Sequence, residues 1–251
     1  MQLGKNEELR QWTRTVIEKM PHLSKSQAVV LAMWSFGIVM TQSSGLTTVS
    51  VFLAELLGKK ENTVRQQLRE WLRDAKDKTK TKDGRASLEV TSCFSPLLAW
   101  ILCLWPESEK RLALAADACW YSMRSWIECL FKDGKRGGMK RHRTKITDPQ
   151  RAERHWLAIA VATLWQVSVG GEVDANLPIS SLDELPPTHV ARRNFKNSFL
   201  HRCLSCFRRG FLVIKAAVLN RLPLPIGGFF PEPWPTLTPQ LHVSQITLST
   251  A

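Results

Sequence analysis

Apolar residues in this 251-residue chain recur at helical spacing, and its longest apolar runs are short. Those runs are Ala28–Met40, Pro96–Trp105 and Leu157–Val169. A membrane-spanning helix needs about 20 consecutive apolar residues, so all three read as buried helices. No segment alternates apolar and polar residues for long enough to be a strand, and no internal repeat is present. A mainly α fold is therefore expected.

Start and stop signals divide that helical pattern. Glu7–Met20 is amphipathic, with Leu9, Trp12, Val16 and Ile17 on one side. Ser24 or Ser26 is placed to cap a helix through Met40, which Gln42-Ser43-Ser44-Gly45 then breaks. Thr47–Leu57 predicts a third helix. A short turn of Gly58, Lys59 and Lys60 follows, and Asn62 or Thr63 is placed to cap a fourth. Pro96–Leu104 and Ala113–Lys132 predict two more. Asp148-Pro149 supplies a cap and a first-turn proline for a helix expected to end near Val169, at Gly170-Gly171. Val190–Leu222 predicts a last, basic helix. Residues 76–86 read as a charged linker, and 223–251 as a proline-rich tail, extended or disordered. The expected organisation is thus an N-terminal helical unit over 1–75 and a second helical unit over 87–222.

The charge balance bears on partners. Lys and Arg number 35 against 22 Asp and Glu, a net charge of +13. That excess favours polyanions, either nucleic acid or an anionic membrane surface, with nucleic acid ahead of a bare solubility charge. Six cysteines at dispersed positions suggest free thiols, not a disulfide framework. Cys203 and Cys206, with His201, have zinc-like spacing but no second pair, and helical cysteines are the simpler account. His155 lies in an apolar helix and reads as structural.

Two local patterns suggest DNA. The pair of helices around Gly58 fits a helix-turn-helix with Lys59, Lys60, Arg65, Gln66, Gln67 and Arg69 near the exposed side of the second helix. A plain helical hairpin with a solvated basic face fits the same pattern. Further along, Tyr121, Arg124, Glu128 and Lys135 fall within an arc of about 60° on one helix, while Met123, Ile127 and Leu130 supply a packing face. A carboxylate able to bind a divalent cation thus sits among groups able to hold phosphates. A solvated stripe of helical salt bridges remains the alternative.

The spacing Tyr121-x2-Arg124-x3-Glu128-x6-Lys135 resembles the signature of bacterial DDE transposases of the insertion sequence four type. Residues 117–138 and 147–172 look like the C-terminal part of their catalytic domain. Residues 22–77 resemble the N-terminal helical region of one subgroup, and 207–235 its tail, so the resemblance covers nearly the whole chain. It implies that Glu128 is the third acidic residue of a site for two Mg²⁺ ions, one activating the attacking oxygen and one stabilising the leaving oxygen. It implies DNA contacts for Tyr121, Arg124 and Lys135, with Lys135, Arg136, Lys140, Arg141, Arg143 and Lys145 along the phosphate backbone. The implied partners are double-stranded DNA at the element ends and a full-length transposase, with no membrane and no small-molecule substrate. The implied location is the cytoplasm, at the nucleoid.

The chain departs from that family in one respect. Two aspartates on a ribonuclease-H-like sheet should lie far upstream of the glutamate. Here Arg111–Ala115 with Asp117-Ala118 resembles the surroundings of the first aspartate, while Asp117–Tyr121 also resembles the lead-in to the glutamate helix. A deletion joining the two places at Ala116-Asp117-Ala118 would remove the second aspartate and most of the sheet. Asp117 and Glu128 would then lie about 16 Å apart along a continuous helix, where two metals need carboxylates converging to about 4 Å. The expected product is a helical remnant of a catalytic domain that binds DNA without strand transfer. The alternatives are a silent DNA-binding module regulating the full-length enzyme, and a pseudogene product with exposed apolar surface that does not fold stably.

Overall fold

The computed structural model describes residues 6–73, 88–105, 138–141, 144–176 and 205–229. The regular elements among them are seven α-helices and one 3₁₀ turn, with no strand. The helix expected over Ala113–Lys132, the linker at 76–86 and most of the tail lie outside the described residues.

Helix α1 (Glu7–Lys19) opens where the Asn6 side chain accepts the Leu9 N–H at 2.9 Å, with Glu7 and Glu8 favourably placed in its first turn. It buries Leu9, Trp12 and Val16 against α2 (Lys25–Thr41). Ser24 is the cap of α2, within a reciprocal capping box with Gln27. Every residue from Ala28 to Val39 is buried, which makes α2 the central helix. Gln42, in the left-handed region at φ 50°, stops it. Helices α3 (Leu46–Leu57) and α4 (Glu61–Leu72) then pack on α2 and on each other.

After a 3₁₀ turn at Thr91–Cys93 comes α5 (Phe94–Cys103). It is apolar apart from Ser95, yet it is not the buried helix expected over Pro96–Trp105, because it fully buries only Trp100. Phe94, Leu98 and Leu102, at i, i+4 and i+8, are 62%, 44% and 47% exposed. Helix α6 (Pro149–Ala175) begins as expected, with Asp148 Oδ1 accepting the Arg151 N–H at 2.8 Å.

The end of α6 differs from expectation. The helix runs through Gly170-Gly171 to Ala175. These glycines do not terminate it, because α7 (Cys206–Leu219) crosses there. A Cβ on Gly170 would overlap the Cys206 carbonyl, and one on Gly210 the Gln166 carbonyl. At each of these two approaches a glycine of one helix meets the backbone of the other. At 27 residues α6 has the length and composition to cross a bilayer, yet Leu157, Ala158, Val161, Ala162, Trp165 and Val169 are all buried in the common core.

Trp165 shows how the two expected units join. Its ring stacks on Trp12 of α1 at 3.9 Å between centroids and lies 6.1 Å from Phe36 of α2. Helices from both sides of residues 76–86 therefore share one hydrophobic core. The start of the expected tail also belongs to it. Residues 223–229 form no regular element but are docked: Leu224 is buried, the Pro225 carbonyl accepts the Trp165 indole N–H at 2.8 Å, and the Leu104 carbonyl accepts the Phe229 N–H at 2.8 Å.

Candidate functional site

The α3–α4 pair carries Lys59, Lys60, Arg65, Gln66, Gln67 and Arg69, the polar groups expected near the exposed side of a helix-turn-helix. Val49, Leu53 and Leu57 fix α3 inward. Gly58 ends it at φ 60°, in the left-handed region, with the Lys59 N–H returning to the Ala54 carbonyl at 2.9 Å. Only Lys59 and Lys60 remain before α4, and the Lys60 carbonyl already accepts from Thr63 and Val64. The cap of α4 is therefore Lys60, an extended residue with no side-chain cap bond, and not Asn62 or Thr63 as expected. Tight closure of α3 starts the next helix early and leaves Asn62 and Thr63 exposed on its first turn.

Val64, Leu68, Trp71 and Leu72 anchor the inner side of α4. Its far end is held by Arg154 of α6, a buried guanidinium that donates to the Leu72 carbonyl at 2.9 Å and to the Leu88 carbonyl at 3.4 Å. A cation on the last carbonyls of a helix is favourably placed. The outer side carries Asn62, Gln66 and Arg69 exposed, with Arg65, Gln67, Glu70 and Arg73 half-buried at its edges. Lys60 is exposed and Lys59 half-buried beside them. Among the described residues, Lys59, Lys60, Arg65 and Arg69 take part in no ion pair.

The neighbouring groups behave differently. Gln66 Nε2 donates to Glu70 Oε1 at 2.6 Å, and Arg73 Nη1 donates to the same oxygen at 2.9 Å. This chain was not anticipated, although its i,i+4 and i,i+3 spacing was a usable signal.

Lys140 and Arg141 belong to a second basic group. The Met139 carbonyl accepts the Ser44 N–H at 2.6 Å, which pins their segment near the start of α3. Helix α3 is about 18 Å long, so it separates this pair from Lys59 and Lys60. Lys140 adopts φ 51°. Arg141 turns onto its own turn and core: Nη1 donates to Thr144 Oγ1 at 2.5 Å, and the guanidinium lies 5.5 Å from the Trp156 ring centroid. Burial lowers its pKa.

Close by, His155 is a structural residue, as its apolar setting implied. Its Nε2 lies 2.8 Å from the Ser44 carbonyl, which can only accept, so Nε2 carries the proton. The ring meets Trp34 edge-on at 5.4 Å. Burial pushes its pKa from 6.5 down to about 4, with Arg141 adding to the effect.

Asp117, Tyr121, Arg124, Glu128, Lys135, Arg136 and Arg143 lie outside the described residues, as do His201 and Cys203. The candidate Mg²⁺ ligands Glu128 and Asp117 are among them. No three His, Cys, Asp or Glu side chains gather into a metal-binding group among the described residues. No family model, no curated protein and no solved structure matches this chain.

Proposed function

We propose that this chain is a shortened protein of the DDE transposase family that binds double-stranded DNA and carries out no strand transfer. The observation that carries the DNA-binding part is the two-sided character of α4. Its inner side is locked into the core by Val64, Leu68, Trp71 and Leu72. Its outer side presents Lys60 and Arg69 to solvent, in no ion pair among the described residues. A three-residue turn with a left-handed glycine joins it to α3, which suits a helix-turn-helix. The family assignment rests on the spacing of Tyr121, Arg124, Glu128 and Lys135, and the loss of strand transfer on the missing second aspartate.

The purified full chain should shift a duplex carrying element-end sequence, with affinity falling steeply between 50 and 200 mM salt, as expected for phosphate contacts. The double variant Lys60→Ala with Arg69→Ala should lower the slope of log K against log salt by roughly 2. Binding that ignores both salt and these substitutions would remove the reading. Mg²⁺-dependent cleavage of the same duplex would overturn the inactive part of it.

A regulatory role beside a full-length transposase is the second reading. It is favoured by the stacking of Trp12 on Trp165, since segments resembling the two ends of a transposase here form one core capable of holding a DNA-binding face. The exposed stripe of Phe94, Leu98 and Leu102 favours the contrary outcome, aggregation of a chain that has lost a covering element. A cooperative melt of soluble protein would favour the regulator.

A further inference from the structure

We propose that α4 discriminates between base pairs through Gln66, and that Glu70 is the positioning residue that sets the sense of its amide. The inference rests on the DNA-binding reading above and goes beyond it, because phosphate contacts alone carry no sequence information.

Gln66 is exposed on the outer side of α4, on the stripe it shares with Asn62 and Arg69. Its Nε2 lies 2.6 Å from Glu70 Oε1. An ionised carboxylate can only accept hydrogen bonds, so it is the NH₂ end of the amide that must face Glu70. One N–H is thereby engaged. The carbonyl Oε1 and the second N–H remain for a partner. Arg73 completes the arrangement by donating to the same carboxylate oxygen at 2.9 Å. The cation holds the Glu70 side chain in place and offsets a negative charge that would otherwise repel an approaching phosphate.

An amide held in this sense offers one donor and one acceptor along a fixed edge. In the major groove the adenine edge presents the complement, with N7 accepting and N6–H₂ donating. The guanine edge presents two acceptors, N7 and O6, and the glutamine carbonyl would face O6 with no proton between them. A side chain free to rotate would adapt to many contacts, whereas one fixed by a neighbour distinguishes among them. Lys59, Lys60, Arg65 and Arg69 lie within about two helical turns of this amide along the chain, with charge complementary to a phosphate backbone.

The test is selection of binding sites from a random duplex pool by the full chain, followed by titration of the selected duplex and of one with the preferred A·T pair changed to G·C. The wild-type chain should favour the selected duplex roughly ten-fold. Gln66→Ala should abolish the preference at that position and leave the salt slope unchanged. Glu70→Ala should also relax it, while binding to unrelated duplex strengthens because a carboxylate is gone. Glu70→Gln keeps an acceptor and should retain part of the preference with the same gain in unrelated binding. These opposite movements are not produced by partial unfolding. Salt-dependent binding with no base preference would overturn base readout and leave the DNA-binding reading standing. Full preference retained by Glu70→Ala would overturn the positioning role. Absence of binding at any salt would overturn both the inference and the reading beneath it.

Discussion

The α3–α4 turn and the α6–α7 crossing both depend on glycine, for opposite reasons. At the turn, Gly58 is needed for its backbone: φ is 60°, and a Cβ there would meet nothing within 4 Å. At the crossing, Gly170 and Gly210 lie within regular helices and are needed for the space they leave. A local rule identifies the first, because a left-handed residue after an apolar helix is a common way to end it. The same rule misassigned Gly170-Gly171 as a helix end. The difference lies in what the missing methyl group would strike: water in one case, another backbone in the other.

Substitution at the crossing should have the largest effect. Gly210→Ala forces α7 away from the Gln166 carbonyl and should cost about 3 kcal/mol or more in urea unfolding, because backbone cannot move aside as a side-chain tip can. A loss under about 1 kcal/mol would mean that the helices separate easily, and the contrast with the turn would collapse.

His155 ties α6 to the corner between α2 and α3, and so couples the helices that carry the two regions. Its pKa in the fold is about 4, below the ordinary 6.5. As pH falls, the unfolded chain therefore takes up the proton first. The stability associated with the neutral ring is complete above about pH 6.5 and is lost progressively towards pH 4. The full span amounts to about 3 kcal/mol. Urea melts at pH 7 and pH 4.5 should differ by most of that amount, and His155→Phe should flatten the difference. A single transition shared by the probes in both regions would sharpen the picture of one core. Separate transitions would divide it.

The turn should give the smallest effect. Gly58→Ala puts a Cβ in the left-handed region and should cost roughly 1–2 kcal/mol, read by thermal unfolding. Gly58→Asn should recover much of that loss, since asparagine tolerates this conformation. A larger cost for Gly58→Ala than for Gly210→Ala would reverse the order on which the comparison stands.

The outer side of α4 was legible in the sequence, whereas Glu128 and the residues spaced around it lie outside the described residues. The apolar positions Val64, Leu68 and Trp71 set which side of α4 turns inward, and this left Gln66 and Arg69 outside. The cap was misjudged, because Asn62 and Thr63 are good caps in isolation and the tight closure of α3 spent the available residues first. The Gln66–Glu70–Arg73 chain needed actual rotamers, since spacing permits such bonds without choosing among them.

Local chemistry within the chain determined that this protein is helical, where α1, α2 and α6 begin, and that α2 is buried on every side. Short-range bonds and the period of apolar residues suffice for those features, because each is decided within a few turns of one helix. Only the tertiary structure decided that α6 continues past its glycines, that Trp12 meets Trp165, and that residues 223–229 dock against the core. Those outcomes depend on which distant surface arrives at a given place, and no local spacing records that.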